Sequence, residues 1–178
     1  ILHAKEGEEL GSLADDCDKV LMVGHLLLYH PAFRALRNFV DAGNIGKLRY
    51  IYSNRLSLGK VRTEENALWS FAPHDISMIL ALAGRLPKTI TAMGANYITD
   101  GVADTTLSHL KFSDDLQAHI HVSWLHPFKD HRLVVTGSEG TVVFDDTLPG
   151  DEKLLNYPHP LSIDAGVPVF NKAPAESV

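Results

Sequence analysis

Leu116-Gln117-Ala118-His119-Ile120-His121-Val122-Ser123-Trp124 alternates between apolar and polar side chains along its whole length. A strand sends successive side chains to opposite faces. Leu116, Ala118, Ile120, Val122 and Trp124 therefore define one face, and Gln117, His119, His121 and Ser123 the other. A second strand-like run, 104–112, lies just upstream, separated by Ser113, Asp114 and Asp115. A three-residue loop sets Phe112 opposite Leu116 and Leu110 opposite Ala118, whereas a two-residue loop would set Leu110 against His119 and mix the faces. The pattern specifies an antiparallel hairpin with His109, His119 and His121 on its polar side.

Strand-like runs recur near 87–97, 129–136 and 141–145, joined by short links such as Gly137-Ser138-Glu139-Gly140. Links this short allow only antiparallel neighbours, since a parallel crossover needs a dozen or more residues. Lys47 to Leu58 also alternates, with Leu48, Tyr50, Tyr52 and Leu56 on one face and Arg49, Ser53, Arg55 and Ser57 on the other. Pro31 opens a helix whose Phe33, Leu36, Phe39 and Val40 face a core and which Gly43 ends. Pro73 suits the first position of another, continued by Ile76, Ile79, Leu80 and Ala83 and stopped by Gly84. The expected fold class is α+β: a mostly antiparallel β-sheet with helices on one face, over residues 26–160. Residues 161–178, with Pro168 and Pro174, read as an irregular tail.

Residues 1–25 have another character. Glu8 to Cys17 is helical in pattern, with Leu10, Leu13, Ala14 and Cys17 on one face, and Val20-Leu21-Met22-Val23 follows as a short apolar strand. A helix feeding such a strand is the unit of a parallel sheet, and its sister strands are expected upstream of Ile1.

With 45% hydrophobic and 21% charged residues, the 178-residue chain has globular composition. Its formal net charge of -6 argues against nucleic acid as a partner. No run approaches the roughly 18 apolar residues of a membrane span, and the start reads as neither signal nor transit peptide. Cys17 is the sole cysteine, which points to a reducing, cytoplasmic compartment and a buried structural thiol.

His74 is the leading candidate for chemistry. Placed in a first helical turn, it feels a partial positive charge that disfavours imidazolium and leaves a proton acceptor at neutral pH. Filling a helix-start pocket is the alternative role, with Asp75 favourable to the dipole. Lys60, Arg62, Asn66 and Trp69 lie in the preceding loop, where two cations, an amide and an indole suit an anionic, hydroxyl-rich ligand, the alternative being an ordinary exposed loop. Tyr29, His30 and Arg34 start the second helix and are candidates for the same cleft, with a solvated helix position the alternative for Arg34. The three-histidine patch has no carboxylate or cysteine to complete a metal cage, so no metal is expected.

Several runs then resemble, in order and spacing, the C-terminal part of Gfo/Idh/MocA-type oxidoreductases. They are Val20-Leu21-Met22-Val23-Gly24-His25, Tyr29-His30-Pro31-Ala32-Phe33, Gly46-Lys47-Leu48 and Leu58-Gly59-Lys60-Val61-Arg62. Trp69 through Asp75, Ser123-Trp124-Leu125-His126-Pro127, and Gly137-Ser138-Glu139-Gly140 leading to Phe144-Asp145-Asp146 complete the set. The resemblance covers about Glu6 to Tyr157.

The resemblance implies a two-domain enzyme. An N-terminal Rossmann domain binds NAD or NADP, and residues 1–25 would be its last helix and strand. The C-terminal sheet builds the sugar site and a homo-oligomer (homodimer) interface. The chain looks most similar to dehydrogenases of nucleotide-linked amino-sugar uronates. The family's catalytic histidine falls on His74, and substrate contacts fall on Tyr29, Arg34, Lys60, Arg62, Asn66, Trp69 and Asp75. Ser70 stands where many members carry an aspartate four residues before the histidine. The family's Glu-Lys-Pro motif and glycine-rich dinucleotide turn do not occur in this sequence. No cofactor is expected on this chain alone, which should be inactive in isolation. The alternative is a non-catalytic sheet module for dimerisation or sugar binding.

Overall fold

A computed structural model describes residues 3–59, 61–159, 161–170 and 173–178. In chain order the elements are α1 (Ala4–Asp16), a 3-10 turn (Leu26–Tyr29), α2 (Pro31–Asp41), β1 (Leu48–Leu56), α3 (Ala67–Ala83), β2 (Thr89–Ala95), β3 (Thr105–Lys111) and β4 (Gln117–Ser123). There follow β5 (Asp130–Gly137), β6 (Gly140–Asp145), a 3-10 turn (Gly150–Lys153), β7 (Leu154–Pro158), β8 (Leu161–Asp164), β9 (Val167–Phe170) and β10 (Glu176–Ser177). Among the described residues, eight strands form one sheet in the order β10-β7-β6-β5-β1-β4-β3-β2.

The β3–β4 hairpin has the register that alternation requires. Leu110 lies opposite Ala118 and His109 opposite His119, and the Phe112 N–H donates to the Leu116 carbonyl at 2.9 Å. Asp115 supplies the left-handed loop residue, at φ 68°. Consecutive strands pair antiparallel from β2 to β4 and from β5 to β7. The exception to the expected pattern is β1, which runs parallel to β4. The chain between them carries α3 across one sheet face, and that long return permits a parallel neighbour.

α2 and α3 cover that face. Phe33 and Leu36 of α2 and Met78 and Ile79 of α3 meet Ile51, Ala118, Ile120, Val122, Val135 and Phe144 in one core. At roughly 1.5–3 kcal/mol for each fully buried large apolar side chain, this layer holds the helices in place. The opposite sheet face has no helix over it among the described residues. It carries Leu107, His109, His119, His121, Tyr50 and Tyr52.

The two faces of β1 divide as predicted: Ile51, Ser53 and Arg55 pack into the core while Tyr50 and Tyr52 lie on the open side. Three expectations need correction. Val20–Val23 forms no strand; Val20 is 96% exposed, because among the described residues no strand lies beside this segment to complete a ladder. α1 buries no residue, so Cys17 is exposed rather than a core thiol. The tail is not irregular: β8 and β9 form a hairpin and β10 pairs with β7. Pro168 is tolerated there because a two-stranded ribbon has only edge strands. No helix of the described residues is long and apolar enough to cross a membrane.

Candidate active site

α3 begins six residues earlier than Pro73. Asn66 is its N-cap, its side-chain oxygen accepting the Trp69 N–H at 3.0 Å. Pro73 lies inside the helix, where its missing N–H leaves the Trp69 carbonyl without the usual partner. His74 is therefore in mid-helix, too far from the N-terminus for the macrodipole to govern it, since that effect fades within the first turn. Gly84 ends the helix in the left-handed conformation, at φ 67°.

His74 is half-buried. Burial lowers its pKa most, the Arg55 cation lowers it further and His25 adds slightly, while Asp75 opposes them. The ring stays neutral at pH 7 for these reasons rather than for the helix-start reason the sequence suggested. Its Nδ1 is buried and has no hydrogen-bond partner among the described residues.

Asp75 does not face a substrate. It is 1% exposed, and both its oxygens are taken up inside the fold. Arg55 Nε donates to Oδ2 at 2.7 Å and Nη2 to Oδ1 at 3.2 Å, while Ser53 Oγ donates to Oδ1 at 2.5 Å. Arg55 Nη1 also donates to His131 Nδ1 at 3.2 Å. The substrate role for Asp75 is withdrawn, because its carboxylate already bridges α3 to β1.

The remaining candidates fall into two groups. Asn66 and the 51%-exposed indole of Trp69 line a cavity of about 300 Å³ with Glu64, Glu65, Gly101 and Val102. Arg62 stands beside it, paired with Glu65 at 3.0 Å, so the loop is less cationic than its composition implied. Tyr29 and Arg34 line a separate cavity of about 490 Å³ with Leu28, Arg37, Asn38 and Asp41. An apolar cavity of about 390 Å³ runs between His25 and the Leu68, Trp69, Pro73, Ile76, Ser77 and Leu80 side of α3. His74 lines none of these three. Five residues separate it from Trp69, which turns them about 140° apart around the helix. Lys60 lies outside the described residues.

Sequence reading missed Ser53, Arg55 and His131, the partners gathered around Asp75. The available signal was Arg55 two residues from Ser53 on the same strand face as Ile51, a charge at core-facing spacing. Among the described residues, no group of three or more His, Cys, Asp or Glu side chains is arranged to hold a metal. His119 instead stacks on Tyr52, with ring centroids 5.3 Å apart at 8°, and its Nδ1 meets the Tyr50 hydroxyl.

The sequence profile of the GFO/IDH/MocA C-terminal domain matches residues 33–143, more than half of the chain. The chain belongs to the GFO/IDH/MocA family. The 2,7-anhydro-N-acetylneuraminate hydratase of Mediterraneibacter gnavus is 23% identical over 158 residues, covering 81% of this chain and 42% of its own length. The UDP-N-acetylglucosamine 3-dehydrogenase of Acidithiobacillus ferrooxidans is 29% identical over 123 residues, covering 68% and 38%. The WlbA dehydrogenase of Bordetella pertussis, solved with NADH and UDP-GlcNAcA, superposes with a TM-score of 0.71 at 16% identity, covering 79% and 48%. The chain thus spans about two fifths of the length of these two curated GFO/IDH/MocA relatives.

Proposed function

We propose that this chain is the substrate-binding and oligomer-forming domain of a nicotinamide-dependent oxidoreductase that oxidises a hydroxyl of a nucleotide-linked sugar. The observation that carries the reading is a half-buried imidazole at His74, with Nδ1 closed off, in a chain of this family. His74 acts as general base at Nε2, since Nδ1 is closed off. A base so placed typically contributes about 10²–10⁴-fold. Oxidation also needs a hydride acceptor, and the nicotinamide dinucleotide is that acceptor. The residues present here do not fit it: the sequence has no glycine-rich strand-to-helix turn to cradle a pyrophosphate. The dinucleotide is held elsewhere in the complete protein. Residues 1–25, whose apolar Val20–Val23 run is exposed, belong to that half and pack against it.

The indole of Trp69 supplies a flat surface for a sugar ring, with Asn66 and the neighbouring carboxylates to meet its hydroxyls. Tyr29, Arg34 and Arg37 suit the anionic part of the ligand, guanidinium groups being well matched to phosphate. The open sheet face joins two copies, burying Leu107 and the Tyr–His stack.

In the complete protein, UDP-N-acetylglucosamine with NAD⁺ should give turnover measurable as NADH absorbance. His74→Ala should cut kcat at least about 100-fold with cofactor affinity nearly unchanged. Unchanged turnover in that variant removes His74 from the mechanism. Self-association without turnover on any nucleotide sugar would support the non-catalytic sheet module instead.

A further inference from the structure

We propose that Arg55 and Asp75 are positioning residues for His74: a buried charge couple that clamps its helical turn to β1 and sets how readily its ring takes a proton. The inference rests on the reading of His74 as the base. Arg55 is 7% exposed and Asp75 1%, at core-facing positions where an apolar pair would pack as well. Replacing a buried ion pair by apolar residues of similar volume is often neutral or stabilising, so such a pair is weak evidence of a role in stability alone. This pair is two-pronged, and Ser53 Oγ closes a third bond on the carboxylate. It fixes the orientation of the peptide that carries His74 as well as its separation from the sheet.

The couple is also placed to act on charge. His74 is next in sequence to Asp75 and turned about 100° from it on the helix. It lies at the flank of the buried face, within electrostatic reach of Arg55. The groups that bear on the ring are Arg55 from β1, Asp75 from α3 itself and His25 from the segment before the 3-10 turn. β3 and β4 offer Thr106, Ser108, Ala118, Ile120 and Val122 on that side, and α2 offers Phe33 and Leu36, none of which titrates in the working range; β5 brings one titratable group, His131, which meets Arg55 Nη1 and the Phe71 ring of α3.

The two members of the couple pull in opposite directions, which separates a charge role from a merely structural one. In the complete protein, Arg55→Met leaves Asp75 alone near His74. Its imidazole titration, followed by NMR with labelled histidine, should move to higher pH by roughly half a unit or more. The acid limb of kcat/KM, with UDP-N-acetylglucosamine and NAD⁺ as probes, should move with it. Asp75→Asn leaves Arg55 unopposed and should move both to lower pH. Asp75→Asn is also the variant least able to fold, since it strands a buried cation. The double change Arg55→Met and Asp75→Leu removes both charges and keeps the packing. There the shift should again be upward and no larger than for Arg55→Met, because Arg55 is the stronger influence and a carboxylate left buried without its cation tends to take up a proton.

Shifts of the same sign in the two single variants, or no shift in the double variant, would overturn the proposal. The imidazole titration reads the couple without needing catalysis. If His74→Ala keeps full turnover while the titration shifts as expected, the assignment of the base has failed and the coupling stands. If His74→Ala is inactive and the titration stays put, the coupling has failed and the base stands.

Discussion

At the scale of one residue, His131 shows how a neutral imidazole is enforced. Arg55 Nη1 contacts His131 Nδ1 at 3.2 Å, and a guanidinium can only donate. Nδ1 must therefore accept, and the ring proton sits on Nε2, which is buried without a partner among the described residues. A second proton would set one N–H against another. Burial is the largest cause, with Arg55 next, and His131 is lowered from 6.5 to about 4. An unfolded histidine titrates near 6.5. Between about 6.5 and 4 the unfolded chain therefore holds more protons than the folded one. Stability is fully present above that window and is lost as pH falls through it. His74, His119 and His121 are lowered as well and push the same way. His131→Gln should flatten the fall of Tm between about pH 6.5 and 5.5, above most of the range where carboxylates titrate. Calorimetric scans of both proteins across that range check it, and parallel slopes would place the acid sensitivity elsewhere.

At the scale of the element, α3 separates what the sequence made legible from what it did not. Its apolar run and its Gly84 stop were readable, because helical spacing and a left-handed cap are local signals. Its start was misread: Pro73 satisfies the rule for a first helical residue, yet the Asn66 cap and tertiary packing carry the helix through it. That error moved His74 from a dipole-governed position to one governed by burial and Arg55. Asn66 consequently has a structural task beside any contact with a ligand. Asn66→Ala should lower unfolding free energy by about 1 kcal/mol, whereas Asn66→Ser, which can still cap, should keep most of it. Urea titrations measure both. If Asn66→Ser keeps stability but raises KM in the complete protein, the same amide also touches substrate. The Arg55–Asp75 pair was not legible at this scale, because 20 residues separate its members and only the fold unites them. The β3–β4 register was legible because a one-residue slip would have turned every histidine inward.

Across the whole molecule, the sheet divides the chain into a covered side that holds the candidate base and an open side with no helix over it among the described residues. On the open side Leu107 is 46% and Met93 73% exposed, beside the Tyr52–His119 stack. Burial, then the neighbouring His109 and His121, lower His119; burial, then His126, lower His121 against an opposing Asp130. These rings are neutral at pH 7 and already resist charge in a single copy. A second copy laid on this face would desolvate them further, so the associated state would bind protons less readily than the separated one. By linkage, association through this face must weaken as pH falls, as His119 and His121 become charged. Sedimentation velocity of the complete protein should show an assembly at pH 7.5 that dissociates toward pH 5. Leu107→Lys should dissociate it already at pH 7.5, because it sets a strongly hydrated cation in the middle of the buried patch. The same variant should leave the His74 titration unmoved, since Leu107 lies across the sheet from α3. An assembly indifferent to both acid and Leu107→Lys would place the contact elsewhere on the surface, with the unpaired edge of β2 the favoured alternative.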